Sequence, residues 1–230
     1  MANDTSLVLM IVLPFVGSVF AAAVPSNTRH REFWLAGSVA FAVLVLAAAC
    51  YPAVSAGTVI HARFEWVPSL GLDFTLRMDG FAWLFSMLVS AIGFLVVLYS
   101  RYYMSPEDPV PRFYSFFLSF MGAMLGIVLS GNLILLVVFW ELTSIFSFLL
   151  VGYWHQNANA RDGARMALTV TGIGGLSLLA GVLILGQVVG SYDLDQVLAS
   201  GNLVRTSDLY VPILVLVLGG ALTKSAQFPF

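Results

Sequence analysis

The sequence predicts an all-α, polytopic membrane protein of about seven transmembrane helices with an external β-hairpin. Hydrophobic residues make up 60% of its 230 residues and charged residues only 10%, whereas about a quarter of a typical soluble domain is charged. So few charges cannot cover a surface that faces water, and the apolar residues gather in runs of the roughly 20 residues that a bilayer-spanning helix needs. We therefore expect residues 1–230 to form a single membrane domain in contact with the lipid bilayer.

Seven apolar runs are candidate transmembrane spans. In chain order they are Leu7–Val24, Phe33–Tyr51, Phe81–Tyr99, Phe113–Leu129, Leu133–Tyr153, Met166–Val189 and Leu209 to the end of the sequence. The first run lacks the positively charged flank of a signal peptide, so we expect it to remain in the membrane. The last run reaches Phe230 without a loop behind it, so we expect the chain to be truncated within the seventh helix.

The arginines orient these spans. Six of them lie in the first, third and fifth connections, and three lie in the second, fourth and sixth. Because cytoplasmic loops are enriched in positive charge, the odd connections are predicted to be cytoplasmic and the N-terminus to be outside. The net charge of −2 offers no basic surface for nucleic acid.

The second connection contains residues 57–79, which we predict to form an external β-hairpin. Apolar and polar residues alternate from Ile60 to Trp66 and again from Leu72 to Asp79. A period of two on both sides of the Pro- and Gly-containing segment 68–71 is typical of two strands joined by a turn. The charges of this hairpin are interpreted as a solvated face.

Two ionisable residues lie deep in the predicted spans. Glu141 is the one formally charged residue between Arg112 and Arg161, and Lys224 is the only lysine of the chain. Glu141 is about nine residues into its span and Lys224 about 12 to 15, which corresponds to roughly 14 Å and roughly 18–23 Å along a helix. Each costs on the order of 3 kcal/mol to insert into a membrane, which favours a functional role over a purely structural ion pair.

The chemistry of this pair suits proton transfer. Burial disfavours the charged form of both groups, whereas mutual attraction favours it, so separating the pair would let lysine release its proton. Hydroxyl groups that could carry water or hydrogen bonds accompany both residues: Thr143, Ser144 and Ser147 near Glu141, and Thr223 and Ser225 beside Lys224. Back-bonding of these hydroxyls to their own helices is an equal alternative. Trp140 is interpreted as a packing residue rather than a cation–π partner.

Glycines cluster in the fourth and sixth spans. They are Gly122 and Gly126, and Gly172, Gly174, Gly175 and Gly181. Small residues let helices approach closely in lipid, so we interpret them as packing positions. The sequence contains no nucleotide-binding fingerprint, metal-spaced histidine pair or nucleophile elbow. We therefore expect no cofactor and no enzymatic activity, and we assign no Na+ site.

Several segments resemble the A subunit of Mrp-type multisubunit Na+/H+ antiporters. Phe139–Ser144 (Phe-Trp-Glu-Leu-Thr-Ser) with Ser147–Trp154 is similar to its fifth-helix motif, and Thr223–Phe230 (Thr-Lys-Ser-Ala-Gln-Phe-Pro-Phe) to its seventh-helix motif. Met121–Gly126 and Trp66–Gly71 are also similar to segments of that protein. The resemblance extends over the whole chain and includes both Glu141 and Lys224.

The resemblance implies the N-terminal portion of the antiporter-like subunit fold, which is shared with proton-pumping subunits of respiratory complex I, with a seventh helix interrupted near its lysine. It implies that Glu141 and Lys224 are the central proton-handling pair of a secondary transporter that exchanges Na+ for H+. It also implies a bacterial inner-membrane complex with other membrane subunits, including a second antiporter-like subunit.

Two alternatives stay open at this point. The chain could belong to an antiporter-like subunit of NADH-quinone oxidoreductase, but Thr169–Gly175 lacks the charged residues that are typical of the sixth helix there. It could also be a scaffold subunit in which the buried pair only ties two helices together.

Overall fold

A computed structural model describes residues 2–24, 29–67, 72–105 and 107–228 and folds them mainly into helices. The elements are α1 (Ala2–Ala23), α2 (Arg29–Ala49), α3 (Tyr51–Ser55), β1 (Ile60–Val67), β2 (Leu72–Met78), α4 (Gly80–Tyr103), α5 (Val110–Leu129), α6 (Leu133–Val151), α7 (Ala158–Val189), α8 (Leu194–Ala199), α9 (Gly201–Thr206) and α10 (Tyr210–Lys224).

Within these ranges, six helical segments are long and apolar enough to cross a membrane: α1, α2 with α3, α4, α5, α6 and α7. The seventh predicted span contains α10, an apolar helix of 15 residues. The predicted class, a helical membrane protein with about seven apolar helices and a small two-stranded sheet, is confirmed. The predicted orientation of the N-terminus stays a prediction.

One boundary differs markedly from the hydropathy pattern. The sixth predicted span begins at Met166, but α7 begins at Ala158, where the side chain of Asn157 caps the helix by accepting a hydrogen bond from the Asn159 backbone N–H. The first turns of α7 carry exposed charges, including Arg161 and Arg165. Hydropathy detects only the apolar part of a helix, so it misses a polar helical extension.

The predicted hairpin is present as strands β1 and β2, which pair in a two-stranded sheet. Arg63 on β1 forms an ion pair with Asp73 on β2. The predicted turn at 68–71 lies outside the described residues. That the hairpin is external stays a prediction.

The chain divides into two compact units: Met1–Ala62 with Leu76–Leu129, and Arg63–Thr75 with Ser130–Phe230. In the first unit, α1 packs on α5 and α2 packs on α4. Polar contacts reinforce these pairs, since the Ser18 and Ser119 hydroxyls share a hydrogen bond of 2.6 Å and the Trp83 indole N–H donates to the Ala47 carbonyl at 2.8 Å. The assignment of residues 1–230 to one membrane domain stays a prediction.

In the second unit, α7 packs against both α6 and α10. Val137 of α6 and Leu178 and Val182 of α7 form the buried apolar cluster between these helices. The segment after α7 returns to the start of α6, where the Leu133 N–H donates to the Tyr192 carbonyl and the Leu194 N–H donates to the Gly131 carbonyl, both at 2.9 Å. In this unit α7 therefore lies against the two helices that carry the ionisable residues, α6 with Glu141 and α10 with Lys224.

Candidate functional site

The ammonium group of Lys224 is held by oxygen atoms of α6. Its Nζ donates hydrogen bonds to Thr143 Oγ1 at 2.7 Å and Ser144 Oγ at 2.8 Å, with a longer bond to the Trp140 carbonyl at 3.3 Å. A lysine ammonium has three donors and no acceptor. All three donors are thus satisfied by neutral oxygens of one helical turn, and we call these three oxygens the oxygen cradle.

The two hydroxyls of the oxygen cradle are oriented by their own helix. Thr143 Oγ1 donates to the Trp140 carbonyl at 2.7 Å, and Ser144 Oγ donates to the same carbonyl at 3.3 Å. Because each hydroxyl proton is used in this way, the oxygen lone pairs are available to the ammonium. Back-bonding and binding of Lys224 therefore occur together and are not alternatives. Thr143 is 0% exposed and Ser144 2%, so both acceptor hydroxyls are shielded from solvent, whereas Lys224 is half-buried.

Trp140 contributes its ring as well as its carbonyl. The Lys224 Nζ lies 5.4 Å from the centroid of the indole ring, within the range of about 6 Å over which a cation is attracted to an aromatic face. Its interpretation as a packing residue alone was therefore incomplete. The signal available in the sequence was its position, three and four residues before Thr143 and Ser144, which gives all three residues a common helical face.

Glu141 and Lys224 lie in the same unit but form no ion pair within 4.0 Å. The Oε1 atom of Glu141 is buried without a hydrogen-bond partner among the described residues. It lies instead against α7 at Gly175, where a Cβ atom would be 1.5 Å from it. Glu141 and Lys224 therefore contact different groups. The carboxylate lies on the α7 side of α6, and the ammonium lies in the oxygen cradle.

Close approach of α7 and α10 depends on glycines. A Cβ on Gly174 would lie 1.7 Å from Thr223 Oγ1, and a Cβ on Gly220 would lie 2.7 Å from the Leu178 Cβ and 2.9 Å from the Gly174 carbonyl. The Ser177 hydroxyl adds a hydrogen bond of 2.8 Å to the Leu216 carbonyl. Small residues of this kind are typical of tight helix pairs in lipid, and here they hold α10 so that Lys224 reaches α6.

Helix α10 ends at Lys224, and the interruption of a longer seventh helix near this lysine stays a prediction. Ala226 has a φ of 49°, in the left-handed region. The Gln227 N–H donates to the Leu222 carbonyl at 3.1 Å and the Ala226 N–H to the Thr223 carbonyl at 3.4 Å, the pattern of a Schellman cap. Lys224 therefore occupies the last turn, where the negative end of the helix dipole favours a cation.

The other predicted hydroxyls contribute less to the site. The Thr223 hydroxyl is buried and donates to the Gly220 carbonyl at 2.9 Å. The Ser225 hydroxyl is exposed and donates to the Ala221 carbonyl at 2.9 Å. Ser147 makes no hydrogen bond to the described residues. Of the five predicted supporting residues, only Thr143 and Ser144 contact the ammonium.

Comparison with known families agrees with this architecture. Residues 130–230 match the family described as NADH:quinone oxidoreductase/Mrp antiporter, transmembrane. Residues 65–117 match the family described as NADH-ubiquinone oxidoreductase (complex I), chain 5 N-terminus. The chain is 29% identical to one chain of the Mrp complex from Dietzia sp. DQ12-45-1b, with a TM-score of 0.85 over 97% of this chain and 24% of that one.

Curated relatives carry antiporter names. A Rhizobium meliloti protein, named as the probable A/B subunit of a K+/H+ antiporter, is 64% identical over 97% of this chain and 22% of its own length. The A subunit of an Alkalihalophilus pseudofirmus Na+/H+ antiporter is 46% identical over 76% of this chain and 22% of its own length. The A1 subunit of a Staphylococcus aureus Na+/H+ antiporter is 37% identical over 96% of this chain and 28% of its own length.

The chain thus spans about a quarter of the length of these relatives. An archaeal membrane-bound sulfane sulfur reductase chain, 20% identical with a TM-score of 0.78 over 97% of this chain and 45% of that one, shares the fold. The antiporter-like fold predicted from the motifs at 139–154 and 223–230 is confirmed. The chain belongs to the family of antiporter-like membrane subunits found in Mrp antiporters and complex I, and it corresponds to the N-terminal part of the Mrp A subunit.

Proposed function

We propose that this protein is a subunit of a multisubunit antiporter that exchanges a monovalent cation, Na+ in the first instance, for H+. In this proposal, Glu141 and Lys224 are the mid-membrane pair that handles the proton. The observation that carries it is the coordination of the Lys224 ammonium by neutral oxygens at 2.7, 2.8 and 3.3 Å, without an ion pair to the nearby Glu141.

Neutral coordination makes the proton on Lys224 exchangeable. An ion pair would hold lysine as ammonium and glutamate as carboxylate, because loss of either charge would leave the other buried and unpaired. The oxygen cradle stabilises the ammonium through hydrogen bonds but leaves no orphan charge when the proton departs. Glu141, whose Oε1 has no hydrogen-bond partner among the described residues, is then the adjacent group that accepts or supplies a proton.

A second candidate cation is K+. The relative with 64% identity is named as part of a probable K+/H+ antiporter, whereas the relatives at 46% and 37% are named as parts of Na+/H+ antiporters. Both ions are monovalent and would be exchanged for H+, so the proposed role of Glu141 and Lys224 in proton transfer is the same for Na+ and for K+. The transport assay must therefore test both ions.

The proposed partners are the other membrane subunits of an Mrp-type complex, including a second antiporter-like subunit, in a bacterial inner membrane with the N-terminus outside. A redox-driven pump is the weaker alternative, since the curated relatives described above are named as antiporter subunits. The absence of charge from Thr169–Gly175 also favours the antiporter.

The proposal is tested with the full-length protein assembled with its partners in inverted vesicles. Proton movement is followed after addition of Na+ or K+, with NADH as a separate condition. We expect Glu141→Gln and Lys224→Ala to abolish cation-dependent proton movement, and Ser225→Ala, which removes an exposed hydroxyl outside the oxygen cradle, to leave it unchanged. Wild-type transport by an assembled Glu141 or Lys224 variant would refute the site, and a strict need for NADH would refute antiport.

A further inference from the structure

Gly175 on α7 differs from the other glycines of the unit in what occupies the space beside it. The three heavy atoms nearest to a Cβ at this position all belong to Glu141: Oε1 at 1.5 Å, Cδ at 2.7 Å and Oε2 at 3.3 Å. At Gly181 and Gly220, by contrast, the nearest atoms belong to aliphatic side chains and backbone of the neighbouring helix. The missing side chain at position 175 thus accommodates a carboxylate rather than a helix.

We propose that Gly175 is a positioning residue for Glu141, which gives the carboxylate a place against α7 and thereby keeps it out of an ion pair with Lys224. This inference rests on the proposed function and adds a residue to it. Any side chain at position 175 would occupy the volume of the carboxylate and force Glu141 to turn elsewhere.

The location of the carboxylate decides which partners both charges have. With Glu141 against Gly175, the ammonium is bound by the oxygen cradle, and the carboxylate lies in the space beside the α7 backbone, where its Oε1 accepts no hydrogen bond from the described residues. No other acidic or basic side chain lies in the described parts of α6, α10 or the second half of α7. Among these described helical segments, Lys224 is therefore the cation with which a displaced carboxylate could pair, and pairing would fix both residues in their charged forms. Gly175 is the feature that keeps the carboxylate and the ammonium out of direct contact.

The direct test is Gly175→Ala in the assembled, full-length complex. We expect cation-dependent proton movement to fall by about 10- to 100-fold, the size of effect that follows displacement of a reacting group by about 1 Å. Loss of helix propensity cannot explain such a fall, because alanine is more favourable than glycine in a helix interior. Gly172→Ala is the matched control: it lies on the same helix, nothing lies within 4 Å of its Cβ position, and we expect unchanged transport.

A compensating variant separates positioning from packing. Glu141→Asp shortens the side chain by one methylene, which makes room for one added methyl group at position 175. We expect the double variant Gly175→Ala/Glu141→Asp to transport faster than Gly175→Ala alone, so that the two losses are strongly non-additive. If the losses simply multiply, or if Gly175→Ala transports at the wild-type rate, the inference is wrong.

Assembly gives a second readout. If Gly175→Ala fails to assemble, assembly of the double variant supports a clash with the carboxylate, whereas failure of both variants assigns Gly175 to helix packing and overturns the inference. The proposed function is judged separately by Glu141→Gln. An inactive Glu141→Gln together with additive losses at position 175 would reject Gly175 as a positioning residue and leave the Glu141–Lys224 assignment intact.

Discussion

Replacement of Thr143 by valine tests the oxygen cradle directly. Valine keeps the shape of threonine and removes Oγ1, which accepts the 2.7 Å hydrogen bond from Lys224 and donates to the Trp140 carbonyl. The carbonyl keeps its bonds from Ser144 and Lys224. The ammonium therefore loses one of its three hydrogen bonds, at a position where residue 143 is 0% exposed.

The magnitude follows from two measured ranges. Hydrogen bonds to charged groups contribute about 1.5–3 kcal/mol, whereas interhelical hydrogen bonds in membrane proteins average about 0.6 kcal/mol and reach about 1.7 kcal/mol. We expect Thr143→Val to lower the free energy of unfolding by about 1.5–2 kcal/mol, near the upper end of the membrane range because the donor is charged. The change is measured by unfolding of the purified full-length protein in micelles with increasing detergent denaturant.

Two controls connect the loss to Lys224. Thr171→Val removes a hydroxyl that bonds only to carbonyls of its own helix, the nearer being Ala167 at 2.8 Å, and should change stability by less than about 0.5 kcal/mol. In a Lys224→Met background, Thr143→Val should lose most of its effect, which gives a coupling of about 1 kcal/mol in a double-mutant cycle. An equal loss in the presence and absence of Lys224 would refute the assignment of Thr143 to the oxygen cradle.

Two further predictions concern the ends of helices. Burial raises the pKa of Asp79, but the hydrogen bonds from the Ala82 N–H and Arg77, with the Arg77 charge, outweigh it and hold the pKa below its usual 3.8. The unfolded state therefore takes up a proton first as pH falls, so the stabilisation from Asp79 is complete above about pH 4 and is lost in more acidic solution. In detergent-unfolding curves, Asp79→Ala should lower the free energy of unfolding by about 1 kcal/mol at pH 7 and by little at pH 2. A loss of stability that does not change with pH would contradict this prediction. Ala226→Gly should raise the free energy of unfolding by up to about 1 kcal/mol, because glycine adopts the left-handed conformation without the strain of a Cβ. Unfolding of the wild-type protein and the Ala226→Gly variant under the same conditions measures this difference. A less stable variant would contradict the presence of a strained cap at Ala226.

The helix of each charged residue and its position along that helix could be predicted from the sequence, but their contacts could not. Residue counting along an apolar run gives the positions of Glu141 and Lys224 along their helices, since a helix rises about 1.5 Å per residue. It does not give the rotation of α6, which turns Thr143 and Ser144 toward α10 and Glu141 toward Gly175. That rotation depends on the packing of α7 against both neighbours, which involves residues far apart in the sequence.

Other features of the structure could not be predicted, because the sequence patterns that would indicate them are absent or ambiguous. Glu32 lies close to Arg29 and Arg31 in the sequence, so it resembles part of a charged loop, yet it is 0% exposed on α2. The cap at Ala226 lacks the glycine that normally marks a left-handed helix end. The sequence pattern indicates packing positions for the glycines of α7, but it does not distinguish a glycine next to a helix from a glycine next to a carboxylate.

The backbone hydrogen bonds between Gly131–Leu133 and Tyr192–Leu194 restrict how this site can move. They fasten the beginning of α6 to the end of α7, while residues 152–157 join the two helices at their opposite ends. Helices α6 and α7 are thus connected at both ends, and sliding one helix past the other by a turn of about 5.4 Å would break these hydrogen bonds. The remaining freedom lies in side-chain rotation and in α10. A change in the contacts of Glu141 would then come from side-chain rotation or from displacement of α10, and not from sliding of α6 along α7.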